Sequence, residues 1–447
     1  MSKINNEIEK NLLLEKTRQT LESRAYGVMR CYLVALECVD EDPREIQESM
    51  QELGSLVRTL GDECVGATIQ KRSRPSPATF IGQGKAEEIA QTCEKLSADY
   101  VAFDHDLPPS QIRNLESIIN KPILDRTGII LQIFKKNARS REARTQVEIA
   151  QLEYLAPRLS NSWIAWERQR GGGGIGARMR GAGESQIELD RRRMRDRIAQ
   201  LKKDLEKIQK EREVKNKKRQ NEFNVVLVGY TNAGKTSLMN AFTESHLVAQ
   251  DSLFQTLDPS VKKMRGVNNL DVYVTDTVGF IRNLPHSLVA SFRSTLDEAR
   301  QADLLLHVVD ASFANFREHI KVTNEVLAQI GAQDVPQILI FNKMDLIKRE
   351  PLLPRILARS FPKCLCISSS SEKDIDKLRE AVVEYFAKNM VEKTFRVNYG
   401  DTQLLSLLYA KTRVLEVNWN NEQAIFKVRL GKAIYQRYFA EQDEEVI

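Results

Sequence analysis

Asn224-Val-Val-Leu-Val-Gly229-Tyr230-Thr231-Asn232-Ala233-Gly234-Lys235-Thr236-Ser237-Leu238 decides how the rest of the chain is read. A short apolar β-run ends in a glycine, four residues turn, and Gly-Lys-Thr opens a helical pattern. This is G-x-x-x-x-G-K-[ST] in the strand–loop–helix setting that gives the pattern meaning. Gly229 and Gly234 permit backbone angles that let successive N–H groups point inward at a phosphate. The helix that follows adds the partial positive charge of its N-terminus. Lys235 can then reach the outer phosphates, and the Thr236 hydroxyl is a hard-oxygen ligand suited to Mg²⁺. An ordinary tight βα turn would not need the complete pattern.

Further patterns arrive downstream in a consistent order. Asp276-Thr277-Val278-Gly279 ends an apolar strand as D-x-x-G; the Asp can hold Mg²⁺, directly or through water, and the Gly279 N–H can bind a γ-phosphate. Asn342-Lys343-Met344-Asp345 ends the next strand but one. The carboxylate of Asp345 can accept from guanine N1–H and its exocyclic amine, a donor pair that adenine lacks. Left unpaired in a buried pocket, that carboxylate should reject ATP on the order of 10³-fold or more. Ser368, Ser369 and Ser370 would complete the base pocket. Phe254-Gln255-Thr256-Leu257-Asp258 offers Thr256 as a second Mg²⁺ hydroxyl on a loop. Each pattern alone has a bland explanation, but four in order at strand ends point to a Mg·GTP site. Lys235, Thr256 and Gly279 are its expected catalytic groups, with Thr236 and Thr256 on the metal.

The residue after D-x-x-G is Phe280, where most small GTPases carry a glutamine that orients the attacking water. A phenyl ring neither donates nor accepts a hydrogen bond. Slow hydrolysis that depends on a partner, as in a switch, is the expected consequence.

At 447 residues the chain is too long for one core, and about three domains is the prior expectation. Lys and Arg number 67 against 61 Asp and Glu, a net charge of only +6, so any affinity for nucleic acid must rest on local clustering. The six cysteines have no metal-ligand spacing; Cys364 and Cys366 should share one face of a strand, and reduced, cytosolic thiols are expected. No eighteen-residue apolar run exists, and the charged N-terminus is unlike a signal peptide. A cytoplasmic protein, monomeric and at most peripherally associated with membrane, is the expectation.

Ahead of the phosphate loop, residues 1–25 are polar and helix-compatible, with Leu12, Leu13 and Leu14 as their apolar cluster. Buried strands at Cys31–Leu36, Tyr100–Phe103 and Lys121–Asp125 then alternate with helical spacing at Ile46–Leu60, Ala86–Leu96 and Ser110–Ile119. Within them Gly82-Gln-Gly84-Lys85 opens a helix, either as a structural turn or as an anion site. From Arg139 to Leu159 the pattern is helical. Trp163, Trp166 and a Gly/Arg-rich run from Arg168 to Gly183 follow, then a second helix with Ile187, Met194, Ile198, Leu201, Leu205 and Ile208 on a seven-residue repeat. Two such helices joined by a loop read as an antiparallel coiled-coil hairpin. Arg191–Arg219 holds fourteen Lys/Arg against five Asp/Glu. That excess fits a solvated helix exterior, but its single sign, the Arg/Gly loop and the two tryptophans favour RNA. Either tryptophan could instead pack at the base of the hairpin.

The expected fold class is therefore α/β. A small α/β N-terminal domain (1–134) and a helical hairpin with its Gly/Arg-rich loop (135–221) precede a doubly wound P-loop GTPase domain (222–390). A small α+β domain (391–447) closes the chain.

The chain resembles the HflX family of GTPases over most of its length. Thr79-Phe-Ile-Gly82-Gln-Gly84-Lys85-Ala-Glu-Glu88, Pro109-Ser-Gln-Ile-Arg113-Asn-Leu-Glu116 and Leu124-Asp-Arg126-Thr-Gly128 are similar to that family's N-terminal domain. Gln146-Val-Glu-Ile-Ala-Gln151 and Gly181-Ala-Gly183-Glu184-Ser-Gln186 resemble the arms of its hairpin. The phosphate loop, Thr256-Leu-Asp-Pro259 and Asp276-Thr-Val-Gly279-Phe280 resemble its GTPase signatures, the apolar residue after the glycine included. Thr236-Ser237 reverses the family's usual order, the glycine-rich loop is longer, Ala182 stands where proline is expected, and Ser369 where alanine is. The resemblance implies binding to the large ribosomal subunit, its rRNA and the intact 70S-type ribosome. It implies a GTP-bound form that splits stalled or idle ribosomes under stress, with hydrolysis stimulated by ribosomal RNA. It also implies adenine-nucleotide use by the N-terminal domain in some members. A GTP-dependent RNA-binding module, or a membrane-associated signalling GTPase, is the alternative.

Overall fold

The computed structural model describes residues 27–158, 183–216, 223–243, 253–264, 272–282, 293–347, 352–420 and 423–431, with 435, 438 and 439. Leu12–Leu14, Trp163, Trp166 and the Gly/Arg-rich run up to Ala182 lie outside them. Among the described residues the chain divides into two compact units, Met1–Ala138 with Arg144–Lys202 and Arg139–Ala143 with Lys203–Ile447.

The first unit contains a four-stranded parallel sheet in the order β2-β1-β3-β4, formed by β1 (Arg30–Cys38), β2 (Glu63–Arg72), β3 (Tyr100–Phe103) and β4 (Ile123–Asp125). Cys31–Leu36 is buried throughout, as a strand covered on both faces must be. The connecting helices are α1 (Pro43–Leu60), α2 (Gln83–Lys95) and α3 (Pro109–Ile119). α1 begins where Asp42 accepts from Arg44 N and ends at Gly61 in the left-handed conformation. After β4, Asp125 caps α4 (Arg126–Asn137) by accepting from Gly128 N. β2 and α4 were not expected. β2 is mixed in polarity at a sheet edge, and α4 starts directly on the end of a strand, so neither carries a clean period.

Two helices follow, α5 (Arg141–Leu155) and α6 (Gly183–Asn216), joined by the ion pairs Glu148–Arg197 and Glu153–Lys202, each at 2.8 Å. Met194 and Leu201, seven residues apart, are buried while Arg191, Arg192, Arg193 and Arg195 are exposed. The segment expected to reverse the chain between the helices lies outside the described residues, as do Lys217, Lys218 and Arg219.

In the second unit a six-stranded sheet runs β10-β9-β8-β5-β7-β6. Its strands are β5 (Phe223–Gly229), β6 (Ser260–Lys263), β7 (Val272–Asp276), β8 (Leu304–Asp310), β9 (Gln337–Asn342) and β10 (Leu365–Cys366). All neighbours pair in parallel except β6, which is antiparallel to β7. The helices are α7 (Lys235–Thr243), α8 (Arg293–Arg300), α9 (Phe316–Gln329), α10 (Leu353–Ser360) and α11 (Glu372–Asn389). Successive strands lie on opposite sides of β5, the arrangement that opens a crevice at strand C-terminal ends. All four expected motifs follow such ends. A three-stranded antiparallel sheet, β11 (Met390–Asn398), β13 (Gln423–Gly431) and β12 (Arg413–Trp419), packs Phe395, Val397 and Phe426 with Leu408 of α12 (Thr402–Lys411). All six cysteines are free thiols. No described helix is long and apolar enough to cross a membrane.

His307 on β8 is 1% exposed, and burial pushes its pKa down to about 4 against a hydrogen bond with Gln337 that raises it. Its folded pKa lies below the unfolded value, so the fold gains stability above about pH 6.5 and loses it as pH falls toward 4. The loss should reach ~3 kcal/mol if no other group compensates. Urea unfolding followed from pH 7 to 4 should show this slope, reduced in His307→Gln; equal slopes would refute the assignment.

Candidate functional site

The phosphate loop is shaped by two glycines that nothing larger could replace. A Cβ on Gly229, φ +145°, would sit 2.1 Å from the Val308 carbonyl oxygen; one on Gly234, φ +91°, would sit 2.3 Å from Asn342 Nδ2. Asn232 also takes a left-handed conformation, φ 61°. Lys235 at the start of α7 is 6% exposed, and its ammonium donates to the carbonyls of Gly229 at 3.0 Å and Tyr230 at 2.8 Å. Burial pulls its pKa down to about 8, and the nearby Asp276 opposes that fall. The lysine is satisfied by its own loop until a better acceptor arrives.

Three segments distant in sequence meet at Asp276. Its Oδ2 accepts from the Thr236 hydroxyl at 2.8 Å and from the Thr256 hydroxyl at 2.9 Å, and the two hydroxyls lie 2.9 Å apart. Its Oδ1 is buried with no partner. Burial raises the carboxyl pKa, with Lys235 and the two threonines opposing the shift. Two hydroxyls and one carboxylate, one of whose oxygens has no partner, form a donor set that fits a hard divalent cation such as Mg²⁺.

Thr277 turns its hydroxyl onto the Leu227 carbonyl at 2.7 Å, which sends the next residues across the phosphate loop. Gly279 passes so close that a Cβ there would lie 2.7 Å from Thr231 Cα and 3.0 Å from Lys235 Nζ. Phe280 is 1% exposed, its ring packed with Val226, Val228, Leu296 and Leu305 beneath the sheet rather than in the cleft. The side chain at the glutamine position is therefore structural.

The loop that carries Thr256 is docked by Phe254 N on the Thr231 hydroxyl at 2.9 Å. Phe254, Gln255 and Thr256 line an open cleft together with the phosphate loop, Thr277 and Gly279. Ser237 joins this lining although it was not among the expected contacts; its signal was adjacency to Thr236. Two expected contacts turn elsewhere. Leu257 is buried at 2% exposure. Asp258 gives Oδ2 to the N–H groups of Arg139 and Ser140, both at 3.0 Å, and Oδ1 to the Ser140 hydroxyl, all within the second unit.

At the far end of the site, Asn342 is fully buried and ties two loops together. Its Nδ2 donates to the Ala233 carbonyl at 3.0 Å, and its Oδ1 accepts from Ser369 N at 3.0 Å. Lys343 pairs with Asp310 at 2.8 Å. Asp345 accepts from the Ser368 hydroxyl at 2.5 Å, and Ser370 shares that hydroxyl at 2.7 Å. Asp345 is exposed, which corrects the expectation of a buried carboxylate. Met344 packs its side chain among Phe341, Leu357 and their neighbours, away from the serines. Val278 and Ala233 likewise are buried and contribute backbone alone.

The Gly82–Lys85 turn stands apart, in the first unit. Gly82 N donates to Gln70 Oε1 at 2.9 Å, a Cβ there would lie 2.6 Å from an Arg72 guanidinium nitrogen, and Lys85 pairs with Glu88 at 2.6 Å. These contacts are those of a turn docked on β2.

Three family models match the chain in succession: GTP-binding GTPase N-terminal over 47–135, GTP-binding GTPase middle region over 137–219, and 50S ribosome-binding GTPase over 224–343. Curated proteins named GTPase HflX align along most of it. That of Gluconacetobacter diazotrophicus is 40% identical over 91% of this chain and 96% of its own. That of Escherichia coli is 40% identical over 87% and 90%, and that of Flavobacterium psychrophilum 46% over 73% and 78%. Among solved structures, a GTP-binding protein from Sulfolobus solfataricus in complex with GDP aligns at a TM-score of 0.41 and 24% identity, covering 80% of this chain and 98% of that one.

Lys235 supplies a pH test of the cleft. Phosphate favours its charged form, so a triphosphate should raise its pKa from about 8, and binding should take up a proton above that pH. Affinity for a guanine nucleotide should then fall by at most about tenfold per pH unit as pH rises from 8. Calorimetry in buffers of different ionisation heat should register the uptake; no buffer dependence at pH 8.5 would contradict it.

Proposed function

The chain belongs to the HflX family of GTPases and hydrolyses GTP, and from that premise we propose that it is a GTP-switched factor of the large ribosomal subunit. In its GTP-bound form it engages the 70S-type ribosome and splits or rescues stalled or idle particles. The observation that carries the reading is the meeting of Thr236 and Thr256 on Asp276 beside Lys235, in a chain whose 224–343 segment matches a 50S ribosome-binding GTPase model. The basic stretch Arg191–Arg219, fourteen Lys/Arg against five Asp/Glu, supports an RNA-facing arm.

The roles follow from the geometry. The backbone N–H groups of Asn232, Gly234, Lys235 and Thr236 would cradle the phosphates, and Lys235 exchanges its two loop carbonyls for phosphate oxygens. Thr236 and Thr256 would hold Mg²⁺, with Asp276 through water; bound there, the ion neutralises charge building on the phosphates. Gly279, crossing against the phosphate loop, offers its N–H to the γ-phosphate. Asp345, oriented by Ser368, accepts from the guanine edge, while Asn342 fixes the phosphate loop against Ser369. With the Phe280 ring buried, no side chain at that position orients water, and hydrolysis waits for ribosomal RNA.

Sedimentation tests the whole. The protein should travel with large subunits in a non-hydrolysable GTP analogue, and raised salt should release it; association indifferent to nucleotide would count against the switch. Two substitutions test the site. Lys235→Ala should abolish nucleotide binding while the N-terminal domain stays folded, and retained GTP affinity would refute the assignment. Asp345→Asn should move preference from guanine toward xanthine, which presents an acceptor where guanine has its amine. An unaltered preference would remove Asp345 from the base site.

A further inference from the structure

Tyr230 follows Gly229 in the phosphate loop, yet its side chain plays no part in the cleft. It is 5% exposed, and its hydroxyl accepts the N–H of Arg282 at 2.8 Å, two residues beyond Phe280. Its peptide neighbours grip the same stretch. Phe280 N donates to the Gly229 carbonyl at 3.1 Å, Thr231 N donates to the Phe280 carbonyl at 2.7 Å, and Tyr230 and Phe280 so form a parallel bridge. The ring is braced from behind: it stacks on His319 of α9 at 3.8 Å between centroids and 7° between planes. His319 stacks in turn on Phe313 at 4.4 Å and 18°.

A phosphate cradle uses backbone N–H groups and has no need of a phenol. Packing alone would be met by phenylalanine, which fills the same space and stacks the same way. What the hydroxyl adds is an acceptor for the backbone N–H of Arg282, two residues past Phe280. That site matters because Phe280 can hold no water, so the reacting geometry depends on where the backbone of Gly279 and its successors lies. We infer that Tyr230 is a positioning residue for hydrolysis: its hydroxyl fixes the Gly279–Arg282 backbone, and the His319–Phe313 stack fixes its ring. The inference rests on the GTPase reading of the cleft. Tyr230 touches no reacting atom through its side chain and acts through Gly279.

The test compares full-length protein with Tyr230→Phe, which keeps the ring and removes the acceptor. GTP hydrolysis is followed across substrate concentrations, alone and with ribosomes, alongside thermal midpoint and backbone amide exchange at Arg282. Tyr230→Phe should lower kcat about fivefold, the worth of one net hydrogen bond, and hold KM within about twofold. The Arg282 amide should exchange faster, at an unchanged thermal midpoint. His319→Ala should lower kcat similarly and His319→Phe should restore it, because a flat ring suffices behind the tyrosine. Wild-type kcat in Tyr230→Phe would overturn the inference while leaving the GTPase reading intact. A joint loss of kcat, KM and thermal midpoint would also overturn it, as the mark of a general packing role. Absence of hydrolysis in the wild type would overturn both readings together.

Discussion

Asp276 holds three segments of the nucleotide domain in one place. A single carboxylate oxygen takes hydroxyls from the helix after the phosphate loop and from the loop bearing Thr256, while the chain beyond Asp276 crosses to Gly279. Each hydroxyl bond is worth about 1.5–3 kcal/mol because its acceptor is charged. Burial works against that charge, which is why the carboxyl pKa is raised even with Lys235 beside it. The junction is costly to leave as it stands and improves when a cation and phosphates complete it. A site built that way reports the arrival of its ligand through the loops that converge on it.

The same economy governs the residue after Gly279. A ring buried under the sheet contributes to the core, and by doing so it anchors the stretch that must approach a γ-phosphate. What is given up is a side chain to align water, a loss consistent with chemistry that waits for a partner. Lys235 has a matching arrangement. Hydrogen-bonded to Gly229 and Tyr230, it avoids the penalty of an unpaired buried ammonium.

The sequence made the doubly wound sheet and the order of its motifs legible because parallel strands buried on both faces leave continuous apolar runs, and because glycines at 229 and 234 answer to backbone geometry. It did not reveal β2, whose edge position permits mixed polarity, nor α4, whose cap is the last residue of a strand. Motif membership also overstated contact. Asp258, Leu257 and Met344 sit within recognisable patterns, yet their side chains serve Ser140 and the cores, since a pattern records neighbours in the chain and not the direction of a side chain. Tyr230 was expected to contact nucleotide, yet its bracing role left no signal in the sequence, because its partners, Arg282 and His319, belong to no motif.

In the first unit, Asp125 shows how buried polar groups help root a helix beside its apolar contacts. Fully buried, it caps α4 through Gly128 N at 2.9 Å and accepts the Tyr154 hydroxyl of α5 at 2.6 Å. It also accepts Arg158 at 3.2 Å. The next residue, Arg126, 1% exposed, reaches Asp104 at the end of the neighbouring strand at 2.9 Å, and Glu52 of α1. Apolar replacements of like volume could match such a network in stability, whereas removal of one partner would strand a buried charge at several kcal/mol. What the network adds is direction, because hydrogen bonds fix the angle at which α5 leaves the sheet and greasy contacts would let it slide. Under the proposed RNA-facing reading, a defined angle serves the basic arm more than extra stability would.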